Sequence, residues 1–180
     1  MNVKILFIIS ILLLFNILCF CDSTTADNYQ KAKELLIQAN MNVNYSSFMD
    51  FYDVYSSLHE DTKNKMQVDS TIYNLVSEYL NKLFSKTPTD SLLLTYYTIF
   101  NYFKNNAEGS ELASESFSDY FMKDLNKSLN ALGKIKDKHI QSTLASEAVF
   151  IEGRDIQIIN YIEKNNLKNK NYYKYFMKYK

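Results

Sequence analysis

The sequence has few of the residues that build turns, with three glycines, one proline and no tryptophan among its 180 residues. β-Sandwiches and barrels need frequent turns, which glycine, proline and Asn-Gly pairs commonly supply. The scarcity of these residues therefore favours an all-α fold. The three glycines, Gly109, Gly133 and Gly153, also stand too far apart to form a phosphate-binding loop, a dinucleotide-binding G-x-G-x-x-G or a hydrolase G-x-S-x-G motif.

Histidine is equally scarce, and its two occurrences, His59 and His139, are distant in the sequence. Zinc sites need several histidines or cysteines at short spacing, so we expect no metal and no cofactor. His59, Glu60 and Asp61 form the one cluster that acid–base or metal chemistry could use. Neighbouring helical residues point in different directions, however, so a solvated helix end is favoured. We expect no catalysis.

The two cysteines, Cys19 and Cys21, lie at the end of an apolar run that begins at Ile5 and follows the basic residue Lys4. This pattern is typical of a secretory signal peptide. About 16 apolar residues fall short of the ~20 that a membrane-spanning helix requires. The pattern predicts a signal peptide over residues 1–21, cleaved after Cys21 or as late as Ala26, and hence a secreted or cell-envelope protein. An uncut membrane anchor is the less favoured alternative.

The sequence "LCFC" also resembles a bacterial lipobox, with Leu18 three positions before a lipidated Cys21. It departs from that pattern at Phe20, where a small residue is expected. The resemblance implies a periplasmic or surface lipoprotein if the source is bacterial. In each case the mature domain has no cysteine pair, so it must be stabilised by its core without a disulfide.

The net charge of zero conceals an uneven distribution. Residues 22–163 contain 13 Lys or Arg and 20 Asp or Glu, a net charge of −7, whereas residues 164–180 contain six lysines and no acidic residue. We expect a helical domain over residues 22–164 and a basic, aromatic C-terminal segment over residues 165–180. The abundance of Asn, Lys, Ile and Tyr is a compositional bias and by itself indicates no chemistry.

Apolar residues recur at helical spacing along the chain and predict seven or eight short helices. The clearest stripe is Ile72, Leu75, Val76, Tyr79, Leu80, Leu83 and Phe84. The next stretch, "SLLLTYYTIFNYFKN", is apolar nearly all round and is expected at the centre of the fold. Asp90, Ser110 and Asp155 are expected to cap helix starts, and Gly133 to end a helix in the left-handed conformation.

Two stretches resemble helices of the tetratricopeptide repeat. "DNYQKAKELLIQA" has Tyr29, Ala32 and Ala39 at the aromatic and small positions, and "LASEAVFIEGRDIQIINYIEK" has Ser146 as a small contact residue and a turn at Gly153. Asp155 departs from the pattern by standing where the repeat expects an aromatic residue. The resemblance implies stacked antiparallel helical hairpins that serve as a binding scaffold. An irregular helical bundle is the alternative.

The C-terminal segment carries the candidate binding residues. As a helix, "KNKNYYKYFMKYK" would place lysines on one side and aromatic residues on the other, as an interfacial helix does. We expect it to bind an anionic surface or another protein through Lys170, Tyr172, Lys174, Tyr175, Lys178 and Tyr179. The alternative is a last helix that packs its aromatic residues on the domain while its lysines stay solvated. Export argues against a nucleic-acid partner, and membrane association would be peripheral or through a lipid anchor. The pattern leaves the oligomeric state open.

A second hypothesis uses the tyrosines, of which the chain has 15. Tyr79, Tyr96, Tyr97 and Tyr102 could surround a central cleft and offer their hydroxyls to a small molecule. The protein would then be a small-molecule carrier or sensor. The alternative is a bulky core whose hydroxyls reach the surface or a backbone carbonyl, and this alternative is favoured.

Overall fold

The structure is a computed structural model that describes residues 26–168 and 170–179. The predicted signal peptide and Cys21 therefore lie outside the described residues. Within the described residues the regular secondary structure is entirely helical, which confirms the all-α prediction. Ten helices occur there, two or three more than the apolar stripes predict.

The first helix, α1, covers residues 26–41 within the described part of the chain. The others follow after short connections: α2 (Tyr45–Ser57), α3 (Glu60–Val68), α4 (Ser70–Phe84), α5 (Asp90–Phe103), α6 (Ala107–Lys123), α7 (Leu125–Lys134), α8 (Lys138–Ala148), α9 (Arg154–Lys164) and α10 (Tyr173–Met177).

Three helix starts differ from the predicted caps. Thr89, not Asp90, caps α5, and Asn106, not Ser110, caps α6 by accepting a hydrogen bond from the Gly109 amide. A capping oxygen must stand just before the first turn, and both helices begin earlier than the apolar stripe does. α9 begins after Gly153, whose left-handed φ of 80° turns the chain without a side-chain cap, so Asp155 lies inside the helix.

The fold is built around α5, as its nearly all-round apolar sequence predicts. This helix packs against α2, α6, α7 and α8, and α6 in turn packs against α4 and α8. Leu93, Tyr96, Ile99 and Phe103 of α5 are fully buried. An apolar helix needs neighbours on several sides to be stable in water, and this arrangement supplies them.

Gly133 does not end a helix, which corrects the prediction, because it lies inside α7. Its lack of a side chain serves close packing instead. A Cβ atom there would come within 3.2 Å of the Tyr172 ring, which belongs to the distant C-terminal segment. The glycine therefore allows the end of the chain to lie directly against α7.

Candidate functional site

The C-terminal segment folds back onto the domain after α9. The Leu167 amide donates to the Ile162 carbonyl at 2.9 Å, and the Asn166 amide donates to the Glu163 carbonyl at 3.2 Å. Asn166 itself adopts a left-handed φ of 57°. These two hydrogen bonds, together with the left-handed Asn166, form a Schellman motif, which ends a helix and reverses the chain.

Two aromatic side chains anchor this segment in the core. Tyr172 is 1% exposed and Phe176 is fully buried. Tyr172 directly precedes the short helix α10, and Phe176 lies within it four positions later, so the two side chains lie on one side of the segment. The helix α10 packs against α8 and α9. The Phe176 ring lies 6.2 Å from that of Phe121, centroid to centroid. The structure thus places Tyr172, one of the predicted surface-binding residues, inside the protein.

Polar contacts hold the segment at both of its ends. Asn171 Nδ2 donates to the Gly133 carbonyl at 3.3 Å. Further on, Tyr179 Oη donates to Ser146 Oγ at 2.7 Å, and Lys178 Nζ contacts the same oxygen at 3.1 Å. These bonds fasten the chain end to α7 and α8 and fix the direction in which its exposed side chains point.

The lysines of this segment face solvent. Lys170, Lys174 and Lys178 are exposed, and none of them forms an ion pair with a described residue. Lys168 differs, because its Nζ lies 3.4 Å from the Glu163 carboxylate. Lys174 and Lys178 each lie 4.9 Å from a tyrosine ring centroid, that of the following residue. Three positive charges are therefore available to a partner.

A groove of about 480 Å³ lies beside Lys170, between α7 and the C-terminal segment. We call it the C-terminal groove. Its lining residues are Asn130, Gly133, Lys134, Lys170, Asn171 and Tyr172. Lys134 and Lys170 bring two positive charges to one concave surface, and the two asparagines can donate or accept hydrogen bonds there. An anionic group would fit this chemistry.

Lys134 is a candidate binding residue that the sequence pattern did not identify. It lies 36 positions before Lys170 (170 − 134), and only the fold-back of the C-terminal segment joins the two. The signal that could have indicated it is the run "GKIKDK", in which Lys134 and Lys136 stand at the end of α7 and in the loop that follows. That run extends the basic character of the C-terminal segment.

The cluster His59, Glu60 and Asp61, which acid–base chemistry could use, lies at the start of α3 and has a structural role there. His59 is the N-cap of α3, where its Nδ1 accepts a hydrogen bond from the Asp61 amide at 3.4 Å. Its side chain and that of Asp61 are largely exposed. Among residues 26–168 and 170–179, no group of three His, Cys, Asp or Glu side chains is placed to hold a metal ion.

Three of the four tyrosines assigned to a cleft are part of the packed core. Tyr79, Tyr96 and Tyr102 are fully buried. Their hydroxyls find partners within the chain; that of Tyr79, for example, donates to the Asn44 carbonyl at 2.9 Å. Burial raises the pKa of all three hydroxyls. Only Tyr97 is partly exposed, and the carrier hypothesis stays a prediction.

Comparison with protein-family models, with curated proteins and with solved structures finds no match to this chain. The likeness to tetratricopeptide repeats accordingly stays a prediction. In the described part of the chain, the helices are all too short or too polar to cross a membrane.

Proposed function

We propose that this protein is a non-catalytic interaction module, exported or held in the cell envelope, that docks an acidic protein surface. The docking residues are Lys170, Lys174 and Lys178, with Lys134 contributing from α7. The observation that carries the proposal is the packing of the C-terminal segment: its aromatic anchors are buried while these lysines stay exposed and without a described acidic partner. Tyr172 and Phe176 are thus used in packing, whereas the lysine charges stay at the surface.

An acidic protein fits this surface better than a lipid bilayer does. A helix that lies in a membrane interface needs a broad exposed apolar face. Here α10 has five residues, and of its three aromatic residues Phe176 is fully buried. The exposed aromatic surface of the segment comes from Tyr179 and from parts of Tyr173 and Tyr175. Charged groups without an apolar face favour electrostatic docking, which brings specificity and fast association more than high affinity.

The excess of acidic residues in the rest of the chain supports the proposal that these lysines are available to a partner. Residues 22–163 carry a net charge of −7, yet Lys170, Lys174 and Lys178 do not pair with described acidic residues. Neutralising the lysines removes the Lys178 contact with Ser146 but leaves the buried rings of Tyr172 and Phe176 and the Tyr179 hydrogen bond to Ser146 in place. The positive charges of the lysines can therefore be altered without unfolding the segment, which makes the proposal testable by substitution.

The test uses poly-glutamate as an acidic polypeptide probe and a matched pair of variants. The triple variant Lys170→Gln, Lys174→Gln, Lys178→Gln is compared with Lys65→Gln, Lys86→Gln, Lys104→Gln, which removes three other exposed lysines. We expect the first variant to bind about tenfold more weakly than the native chain, or ~1.4 kcal/mol. The control should bind almost as the native chain does, and added salt should weaken binding generally.

Equal loss of binding in both triple variants would contradict the proposal, because the effect would then follow net charge alone. Vesicles of phosphatidylcholine with and without phosphatidylserine form a second arm of the experiment. Binding to the anionic vesicles without binding to poly-glutamate would replace the protein partner with a membrane surface. Circular dichroism of each variant checks that the helices are retained.

A further inference from the structure

A second groove, of about 680 Å³, lies where the end of α3, the start of α4 and the α5–α6 connection meet. We call it the carboxamide groove after its most frequent side chain. Its lining residues are Asn64, Gln67, Val68, Ser70, Tyr73, Asn105, Asn106 and Glu108. Its volume falls in the range of pockets that hold small ligands.

The lining side chains offer hydrogen bonds of both kinds. Each carboxamide has two N–H donors and a carbonyl acceptor, and the Ser70 and Tyr73 hydroxyls also donate and accept. Glu108 is the charged residue among them, and its negative charge disfavours anions. Val68 adds an exposed apolar group. A neutral ligand rich in hydroxyl groups matches this set better than an anionic or an apolar one.

One wall of the carboxamide groove is formed by a buried side chain, which hydrogen bonds to the core hold in place. Gln67 is 5% exposed, and its Nε2 donates to Tyr55 Oη at 2.7 Å and to the Tyr102 carbonyl at 2.6 Å. The carbonyl partner can only accept, which fixes the orientation of the amide. Because both amide hydrogens are used inside the core, the oxygen Oε1 is the atom that Gln67 can offer to a ligand. A held acceptor of this kind lowers the entropy lost on binding.

Asn106 is held directly beside Gln67. Its Nδ2 donates to the Gln67 carbonyl at 2.8 Å, and its Oδ1 accepts from the Gly109 amide at 2.9 Å. One side chain thus joins the end of α3 to the start of α6. Asn64, Asn105 and Ser70 are exposed around this rigid base and remain free to contact a ligand.

Tyr73 supplies an aromatic surface. Its ring is partly buried and meets the Phe103 ring edge-on at 6.1 Å. Burial, followed by the nearby Glu108 carboxylate, raises the pKa of the Tyr73 hydroxyl. The phenol combines an apolar body, against which the C–H face of a sugar ring can pack, with a polar end that bonds to hydroxyls.

We propose that the carboxamide groove binds a neutral saccharide. Gln67 Oε1 accepts a hydrogen bond from a sugar hydroxyl, Asn64, Asn105 and Ser70 bond to others, and Tyr73 packs against the ring. This site is separate from the lysines of the C-terminal segment. Its ligand chemistry is also different, so either proposal can fail without the other.

The test is a titration of the ¹⁵N-labelled chain with maltotriose, cellotriose and chitotriose, each followed by NMR. We expect at least one of them to shift the side-chain amide signals of Asn64 and Asn105 saturably, with a dissociation constant of about 1 mM or tighter. The double variant Ser70→Ala, Asn105→Ala should weaken that binding at least about tenfold, because it removes two exposed ligand contacts. Both positions are exposed, so the fold should be retained.

The matched control is Asn130→Ala, which removes an exposed asparagine from the C-terminal groove and should leave saccharide binding unchanged. An uncharged peptide of alanine and glycine is titrated in parallel. The proposal is overturned if none of the three trisaccharides gives a saturable shift, or if the double variant binds as the native chain does. Binding of the peptide in place of all three saccharides would also overturn it.

Discussion

Phe176 offers the sharpest test of how the C-terminal segment is attached. The side chain is fully buried, and its ring contacts that of Phe121 in α6. Replacing a buried phenylalanine with alanine removes its apolar transfer free energy and leaves a cavity, at a cost of about 3–5 kcal/mol. Phe176 lies near the end of the chain, where the structure can relax most easily. We therefore expect Phe176→Ala to lower the free energy of unfolding by about 3 kcal/mol, the low end of this range.

The assay is equilibrium denaturation with guanidinium chloride, followed by circular dichroism. Lys174→Ala is the matched control, because it lies on the exposed side of the same short helix and should change the free energy of unfolding by less than about 0.5 kcal/mol. Hydrogen exchange of residues 170–179 reports separately on detachment of the segment, which should be faster in Phe176→Ala. Equal stability of the two variants, with unchanged exchange, would refute the buried packing of this segment.

Three further predictions concern the core, the pH response and the N-terminus. Gly109→Ala should destabilise the fold by about 1–3 kcal/mol in thermal or chemical denaturation, since the added Cβ would overlap the buried Phe103 ring; unchanged stability would contradict this packing. Burial raises the pKa of the Tyr55 hydroxyl to about 12, above the value near 10 in the unfolded chain. The contribution of this hydroxyl to the free energy of unfolding is therefore complete below about pH 10 and is lost as the pH rises through about 12. Denaturation at a series of alkaline pH values should show this decline, and Tyr55→Phe should decline less. Intact-mass analysis of the native protein should find a chain that begins after Cys21 or Ala26, or at a lipid-modified Cys21; a chain that keeps Met1 would contradict the export prediction.

The helices that the sequence predicts best are those whose burial follows a local pattern. In α4, the predicted stripe includes Ile72, Val76, Tyr79 and Leu83, and all four are buried. Phe84 ends the same stripe but is 39% exposed, because the helix finishes there. The spacing of apolar residues indicates which face of a helix is buried. The residue at which the helix ends depends on the connection that follows it.

The C-terminal segment shows what a local pattern cannot supply. Its alternation of lysines and aromatic residues predicts an amphipathic helix whose aromatic residues either bind a partner or pack on the domain. The structure buries Tyr172 beside Gly133, as in the second alternative, and the helix has only five residues. Nothing within "KNKNYYKYFMKYK" indicates a glycine in α7 as its packing partner. The lysines were identified correctly as exposed residues, since a charge rarely becomes buried without a partner.

The carboxamide groove was not predictable for a different reason. Asparagine is so common in this chain that its presence at any one position indicates nothing. Asn64 and Asn105 become neighbours of Gln67 only because α3, α4 and the α5–α6 connection converge. The buried hydrogen bonds of Gln67 to Tyr55 and Tyr102 distinguish this place from other asparagine-rich surfaces. Those bonds depend on tertiary structure, which a residue pattern does not contain.

The most direct measurement of the docking surface is lysine footprinting by acetylation and mass spectrometry, with and without bound poly-glutamate. We expect protection of Lys134, Lys170, Lys174 and Lys178, the lysines that line the C-terminal groove or project from the segment beside it. Lys65, Lys86 and Lys104 should react at the same rate in both samples. Uniform protection of all lysines, or protection confined to lysines outside residues 134–178, would contradict the proposed docking surface.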